Sequence, residues 1–549
     1  MWSKPHMRAE STRNGETISR SGTAREAAAG REARAGIEAA SGVETVSGIE
    51  AAGIRGAFVW LVLLGVAALG LGSCAADGGR AERLRADVVV VGGGASGVAA
   101  AVQAARMGMD VIVVEPTDWL GGMLTAAGVS AVDGNHRLPS GLFGEFRERL
   151  YQHYGGPGQV ATGWVSNTLF EPHVGNRILH EMVAEEPGIT VLKGHTLDSV
   201  HLDGGRIDWI SARDSAGVER RIEGQVFIEA TEYGDLLAAA GAAYSHYMET
   251  FEQTGEPGAP AEPRPYVQDL TYVAILKDYG PGQDRTIPMP ERYDISDFTC
   301  MCRQVCPSQP EEVIDCQQML NYGKLPNGKY MINWPNQGND TYVDLLELSP
   351  AERDTALVAA KQMTLSWIRF LQTEGGFTNL GLADDEFPTE DRLALIPYIR
   401  ESRRVVGADR LFLTDILDPY ADSSRPIYKT GIAVGDYPVD HHRKKNPVPD
   451  QIEFPPIPSY NVPYGALVPE SVNGLLVAEK SISVSNVANG TSRLQPVVHQ
   501  IGQSAGAAAA LAVQLGVEPR DVPVRALQAR LLEADMFLMP FLDVQPESA

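Results

Sequence analysis

The sequence predicts an α/β chain, a doubly wound parallel sheet with a mixed α+β lobe inserted into it. Three observations carry that prediction. Residues 86–91 (ADVVVV) form a continuous apolar run, the pattern of a strand buried on both faces of a parallel sheet. The run enters the glycine turn 92–97 (GGGASG), a stretch of helical composition over 98–107, and a second apolar strand at 110–114 ended by Glu115. Between 244 and 460 this rhythm gives way to Pro- and aromatic-rich sequence, which suits a lobe covering a ligand site.

Residues 1–56 are rich in Ala, Gly, Glu, Arg and Ser with almost no aromatics, too little apolar surface to offset chain entropy. They read as disordered, or as untranslated if synthesis starts at Val43 or Val46. Residues 57–74 (AFVWLVLLGVAALGLGSC) follow Arg55. The run is short and Gly-rich for a membrane span of about 20 residues, and it fits the apolar region of a signal peptide. Leu71-Gly72-Ser73-Cys74 resembles the lipobox of bacterial lipoproteins, in which the Cys becomes the lipidated first residue. The expectation is an exported, periplasmic or cell-envelope lipoprotein. Its membrane contact is the N-terminal lipid anchor, with the outer membrane favoured because Ala75 follows the Cys. An uncleaved anchor and a cytoplasmic chain with a spurious extension remain open as alternatives.

Composition removes other classes. The 549 residues carry 46 Lys+Arg against 70 Asp+Glu, a net charge of −24. That is the wrong sign for nucleic-acid binding or for docking a domain surface on an anionic membrane. Five cysteines are too few for a disulfide scaffold of this size.

Residues 80–243 hold the first chemistry. Gly92-x-Gly94-x-x-Gly97 stands between strand and helix, followed by a second strand and an acid. Gly92 permits the tight turn, Gly94 lets a pyrophosphate approach, and Gly97 lets helix and strand pack closely. Ala95 and Ser96 open the helix, whose free N–H groups and dipole favour phosphate. Glu115, 18 residues past Gly97, is placed to accept ribose hydroxyls. Gly121-Gly122-Met123 follows. No second G-x-G-x-x-G follows a strand, so a separate NAD(P)H domain is not expected.

The pair Gly121-Gly122 resembles the glycine pair of FAD-binding flavoproteins. Residues 226–241 (VFIEATEYGDLLAAAG, with Thr231) resemble their central strand and turn, and residues 461–540 resemble the return to the cofactor through strand 474–478, Arg493 and the turn Gly502-Gln503-Ser504. Together with Asn333-Trp334-Pro335, these motifs resemble the bacterial FAD-dependent oxidoreductase family related to fumarate-reductase-type flavoproteins and the flavin subunit of heterodisulfide reductase. The resemblance spans most of 86–515. It implies a Rossmann-like FAD-binding domain, and a helix N-terminus at 502–506 aimed at the flavin pyrimidine. Ala478-Glu479-Lys480 departs from the Gly-polar pair usual in relatives. The loop 123–128 (MLTAAG) lacks the His of covalent fumarate-reductase relatives, so FAD is expected to be non-covalent. No Arg-Arg pair precedes the apolar run 57–72, so an exported chain would load its cofactor after crossing the membrane.

The lobe 244–460 holds the substrate candidates. Tyr398-Ile-Arg400-Glu-Ser-Arg403-Arg404 predicts a helix with Arg400 and Arg404 on one face, gripping a substrate or pairing with surplus carboxylates. Asp440-His441-His442 sets a carboxylate beside two imidazoles, suited to moving a hydroxyl proton; structural and metal roles are the other readings, and no metal is expected. Cys300, Cys302, Cys306 and Cys316 fall within 17 residues, open to two disulfides, a metal or cluster, or free thiols. Residues 351–373 predict a helix after Ser349-Pro350.

The function expected is hydride transfer between flavin N5 and a small polar, hydroxylated or sugar-like substrate. Oxygen, a quinone or a partner protein would return the electrons. The alternatives are a fumarate-reductase-like reductase of an activated double bond and a non-catalytic lipoprotein keeping the fold.

Overall fold

The computed structural model describes residues 82–298, 315–334, 338–447 and 453–540. β1 (Glu82–Val91), α1 (Ala95–Arg106) and β2 (Val111–Glu115) form the expected strand–turn–helix–strand unit. β1 begins earlier than its apolar run, because Glu82 to Arg85 still pair in register with residues 220–223. Then come α2 (Gly141–Tyr154), α3 (Pro172–Ala184), β3 (Ile189–Lys193), β4 (His195–Asp203), β5 (Arg206–Asp214) and β6 (Glu219–Glu229). The sheet runs β3-β2-β1-β6-β5-β4, and the strand Leu475–Val477 joins the C-terminal half of β6. β3, β2, β1, β6 and Leu475–Val477 are parallel, whereas β4, β5 and β6 form an antiparallel meander. Val88 to Val91 are buried on both faces, as a parallel interior requires.

The helix expected to begin at 502–506 starts earlier and spans Gln495–Leu515. Its polar first half disguised it. Those side chains are buried but satisfied: Gln500 donates to the Val434 and Pro496 carbonyls, Gln503 to Gln103, and Ser504 to the Ile432 carbonyl. Pro496 sits in the first turn, where its missing N–H costs nothing. Gly502 and Gly506 face α1, and a methyl at either would overlap the Ser96 or Ala100 carbonyl. The 502–504 segment is therefore mid-helix packing, and the expected turn at Gly502-Gln503-Ser504 is corrected.

The lobe has its own core. Ala274–Asp278 is flanked antiparallel by Lys329–Ile332 and Leu380–Leu382. Helix Pro350–Thr373 covers them, its start fixed by a capping box between Ser349 and Glu352. Trp367, Phe298 and Phe370 form the centre, and the cluster extends to Trp119, Met123 and Val129 in the loop beyond β2. Leu411, Ile432 and Ala433 pack instead into the sheet's core. The expected helix over 400–404 does not form. Arg404-Val405 is a short strand paired with Tyr244-Ser245, so Arg400 and Arg404 share no helical face. Cys316 is disulfide-bonded, and Cys300, Cys302 and Cys306 lie outside the described residues, as does the 57–74 segment. Among the described residues no helix is long and apolar enough to cross a membrane.

Candidate active site

The glycine turn builds a cradle at the C-terminal edge of the parallel sheet. Gly92 holds φ +103°, a left-handed conformation that L side chains rarely adopt. A methyl on Gly92 would overlap the Ala230 carbonyl, and one on Gly97 would overlap the Gly92 carbonyl. Gly94 differs: the nearest atoms to a methyl there lie 3.6–3.8 Å away. A methyl there would sit in ordinary contact with the Ala230 carbonyl and the Glu479 and Glu232 carboxylates, so packing does not demand glycine. Val98 is the amide that bonds back to the Gly94 carbonyl, so the first turn of α1 presents its N–H groups to the cradle. Glu115 braces the turn, accepting from Gly93 N at 2.8 Å and from the Thr117 amide and hydroxyl. Burial pushes its carboxyl up to about 7.

A buried ion cluster lines the same cradle. Glu479 Oε2 accepts from Ser96 Oγ at 2.6 Å. Lys480, wholly buried, pairs with Glu479 at 3.1 Å and with Glu232. Glu232 accepts from Met123 N at 3.2 Å, and its carboxylate stands over Gly122 and Gly94. Burial raises the Glu232 carboxyl against the pull of Lys480. Glu479 itself adopts φ +55°. The Ala478-Glu479-Lys480 departure is thus a charged wall in which one ammonium serves two carboxylates. The Thr231 hydroxyl accepts from Asp235 N at 2.9 Å.

Arg493 to Gln495 join the cradle to the lobe. Gln495 Nε2 reaches Met123 Sδ at 2.7 Å, while its Oε1 is buried with no partner among the described residues. Two residues earlier, Arg493 donates to Tyr398 Oη at 2.7 Å and to Asp440 Oδ2 at 2.9 Å. The helix end next to the cradle is therefore Gln495, seven residues before Gly502.

Asp440 is the most exposed member of a buried charge network. His442 bridges two carboxylates, Nδ1 to Asp340 Oδ2 at 2.8 Å and Nε2 to Asp440 Oδ2 at 3.2 Å. Arg400 lies beneath, donating to the Asp269 carbonyl, Thr271 and Asp340. Burial alone would raise the Asp340 carboxyl, but Arg400 and His442 bring it down to about 2. Burial and Arg400 oppose the charge on His442, yet Asp440 and Asp340 prevail and raise its pKa. His442 and Arg493 hold Asp440 ionised far below its ordinary range despite burial. The Asp440 side chain keeps 39% of its surface open, and its charge helps raise the Tyr322 and Tyr437 hydroxyls. Trp334 stands edge-on to Tyr322 at 5.2 Å.

Some expected site residues lie elsewhere. Arg403 is consumed by the Tyr233 and Leu346 carbonyls and Asp235, and it braces the turn before Asp235. His441 turns from His442, with Nε2 at 3.1 Å from the Asn486 carbonyl. Burial beside Arg443 keeps it neutral, its pKa well below the usual imidazole range. Arg400 acts through Asp340 and is a positioning residue. Asp340, Tyr322 and Tyr437 were not expected at the site, because the groups they meet come from separate segments, such as Thr271, Arg400 and His442 around Asp340. A lone acid closing the polar 333–340 loop was the available signal for Asp340.

The FAD dependent oxidoreductase family matches residues 87–531, four-fifths of the sequence, spanning both cradle and pocket. The chain belongs to this family. The enzyme is an FAD-dependent oxidoreductase, and its residues fit that cofactor: Gly94 carries no side chain at the N-terminus of α1, and Gln495 Oε1 is buried with no partner among the described residues. No curated protein matches the sequence. Solved structures similar to it include p-nitrophenol 4-monooxygenase PnpA from Pseudomonas putida, 10% identical over 84% of this chain and 87% of that one, TM-score 0.34. The myxobacterial chondrochloren halogenase CndH is 11% identical over 82% and 78%, TM-score 0.35. E. coli quinol fumarate reductase FrdA is 12% identical over 82% and 74%, TM-score 0.33. At such scores these neighbours carry no argument about substrate.

Proposed function

We propose that this oxidoreductase oxidises a small polar substrate bearing a hydroxyl group, a polyol or sugar-like molecule, in the pocket around Asp440. The observation that carries the reading is the Asp340–His442–Asp440 array, of which Asp440 is the most exposed member. FAD, bound without a covalent link, supplies the two-electron acceptor and is reoxidised by oxygen, a quinone or a partner protein. Asp440 accepts the substrate hydroxyl, and the Asp440–His442 pair takes its proton. Asp340 fixes the imidazole through Nδ1, and Arg400 keeps Asp340 ionised. Arg493 and the tyrosine hydroxyls orient the remaining polar groups, while Trp334 and Tyr322 give an apolar ring face a surface to stack on.

A fumarate-like reduction needs an arginine able to give up a proton to carbon. Arg400 and Arg403 are sealed by carbonyls and carboxylates, which argues against that alternative. A panel of polyols and unsaturated acids separates the two readings. Anaerobic bleaching of the flavin by a hydroxylated compound supports the proposal; turnover of an unsaturated acid by reduced dye, with no bleaching by any alcohol, overturns it.

We infer also that the enzyme is exported and anchored through a lipid on Cys74. A diacylglyceryl-modified peptide beginning at Cys74 supports this, and an intact 1–73 segment in the purified cellular protein refutes it.

A further inference from the structure

A groove of about 1080 Å³ runs between the start of α2, residues 428–429 and the helix Val524–Glu533 with the chain after it. Arg137, Arg147, Lys429 and Arg525 line it, together with His136. Among the described lining residues none is Asp or Glu. That is unusual in a chain of net charge −24, where most buried arginines are paired. Arg137, Arg147 and Lys429 make no ion pair among the described residues.

Arg147 is the key group. It is only 8% exposed, lies 5.6 and 5.7 Å from the ring centres of Phe143 and Tyr151, and donates one hydrogen bond to the His136 carbonyl. Burial lowers its pKa against the pull of Tyr151 and Glu148, and the guanidinium makes no ion pair among the described residues. Ring stacking returns far less than such burial costs. An anion arriving at the guanidinium fork restores the balance, and a carboxylate or phosphate matches it in a bidentate fashion. The other wall is apolar: Leu532, Phe537 and Met539 are 58%, 39% and 38% exposed. A bare anion leaves that wall wet, and a neutral alcohol leaves the cations unpaired.

We propose that this groove binds an anionic amphiphile as a soluble monomer, a phosphate or carboxylate head on Arg147 and an apolar chain along Phe537 and Leu532. A membrane surface is disfavoured because the chain is strongly acidic and the adjoining groove across Arg147 carries Glu145, Glu148, Glu533 and Asp535. The site lies outside the Asp440 pocket and does not depend on the reaction proposed there.

Calorimetry of the FAD-loaded enzyme with decyl phosphate, inorganic phosphate, decanol and phosphatidylglycerol vesicles tests it. The expected result is one saturable site for decyl phosphate, at least about tenfold tighter than for phosphate or decanol, and weakened about tenfold or more by Arg147→Gln. Flavin content is expected to stay unchanged. Should that variant fail to fold, Arg137→Gln/Lys429→Gln carries the same expectation. Equal affinity in wild type and variant overturns the proposal. So does equal affinity for phosphate and decyl phosphate, or binding to vesicles alone.

Discussion

Gly94 and Gly97 are both small, for opposite reasons. Gly97→Ala meets the Gly92 carbonyl and is expected to lower the melting temperature sharply. Gly94→Ala has room and should fold, while Gly94→Asp puts a carboxylate where phosphate belongs and should leave the protein folded but colourless. Released flavin per mole, read beside the melting temperature, separates the two effects. Lys480→Met leaves Glu232 and Glu479 buried without their shared ammonium. Breaking such a group costs about 3–5 kcal/mol, so urea unfolding should show a loss of that order, lessened at low pH where Glu232 takes a proton. In the pocket, Asp340 helps hold the His442 proton. Oxidation needs His442 neutral, so wild-type turnover should rise with pH through a pKa above the ordinary imidazole value of about 6.5. Asp340→Asn should move that rise to lower pH and reduce the plateau; an unmoved profile would remove His442 from the proton path.

At the scale of elements, the crossing of α1 by helix Gln495–Leu515 sets the cradle's position. Gly502 touches the Ser96 backbone, and Ser96 is a cradle residue; Gly506 touches Ala100, one turn further on. Gly502→Ala and Gly506→Ala should each cost about 1–3 kcal/mol from overpacking. Gly502→Ala should also weaken FAD binding, seen as a raised dissociation constant in fluorescence titration. The βαβ unit was legible in sequence because its constraints are local: apolar runs and glycines act within twenty residues. The early start of the long helix was not legible. Gln495, Gln500, Gln503 and Ser504 look like a polar turn until their partners from residues 103, 123, 432 and 434 are in place. The arginine run at 400–404 failed likewise. Its helical spacing was real in sequence, but the guanidinium partners at 235, 249, 269 and 340 come from four separate segments and draw the chain out.

Across the molecule, sheet and lobe meet where Arg493 links Asp440 to the helix beside Met123, and the chemistry depends on that junction staying closed. Acid should open it. Asp340 falls from 3.8 to about 2 on folding, so its contribution, on the order of 2 kcal/mol, is present above pH about 4 and lost as pH falls toward 2. His442 has the opposite sign: its raised folded pKa adds stability below pH about 6.5 that disappears as pH rises through the folded value. Asp340→Asn should therefore flatten the acid limb of a urea-midpoint profile. The most direct test of the whole account is anaerobic flavin reduction by a hydroxylated substrate in wild type and His442→Ala at matched flavin content. The expected result is a yellow wild-type protein that bleaches, and a variant equally yellow but at least about a hundredfold slower. Equal bleaching rates in the two proteins would contradict it.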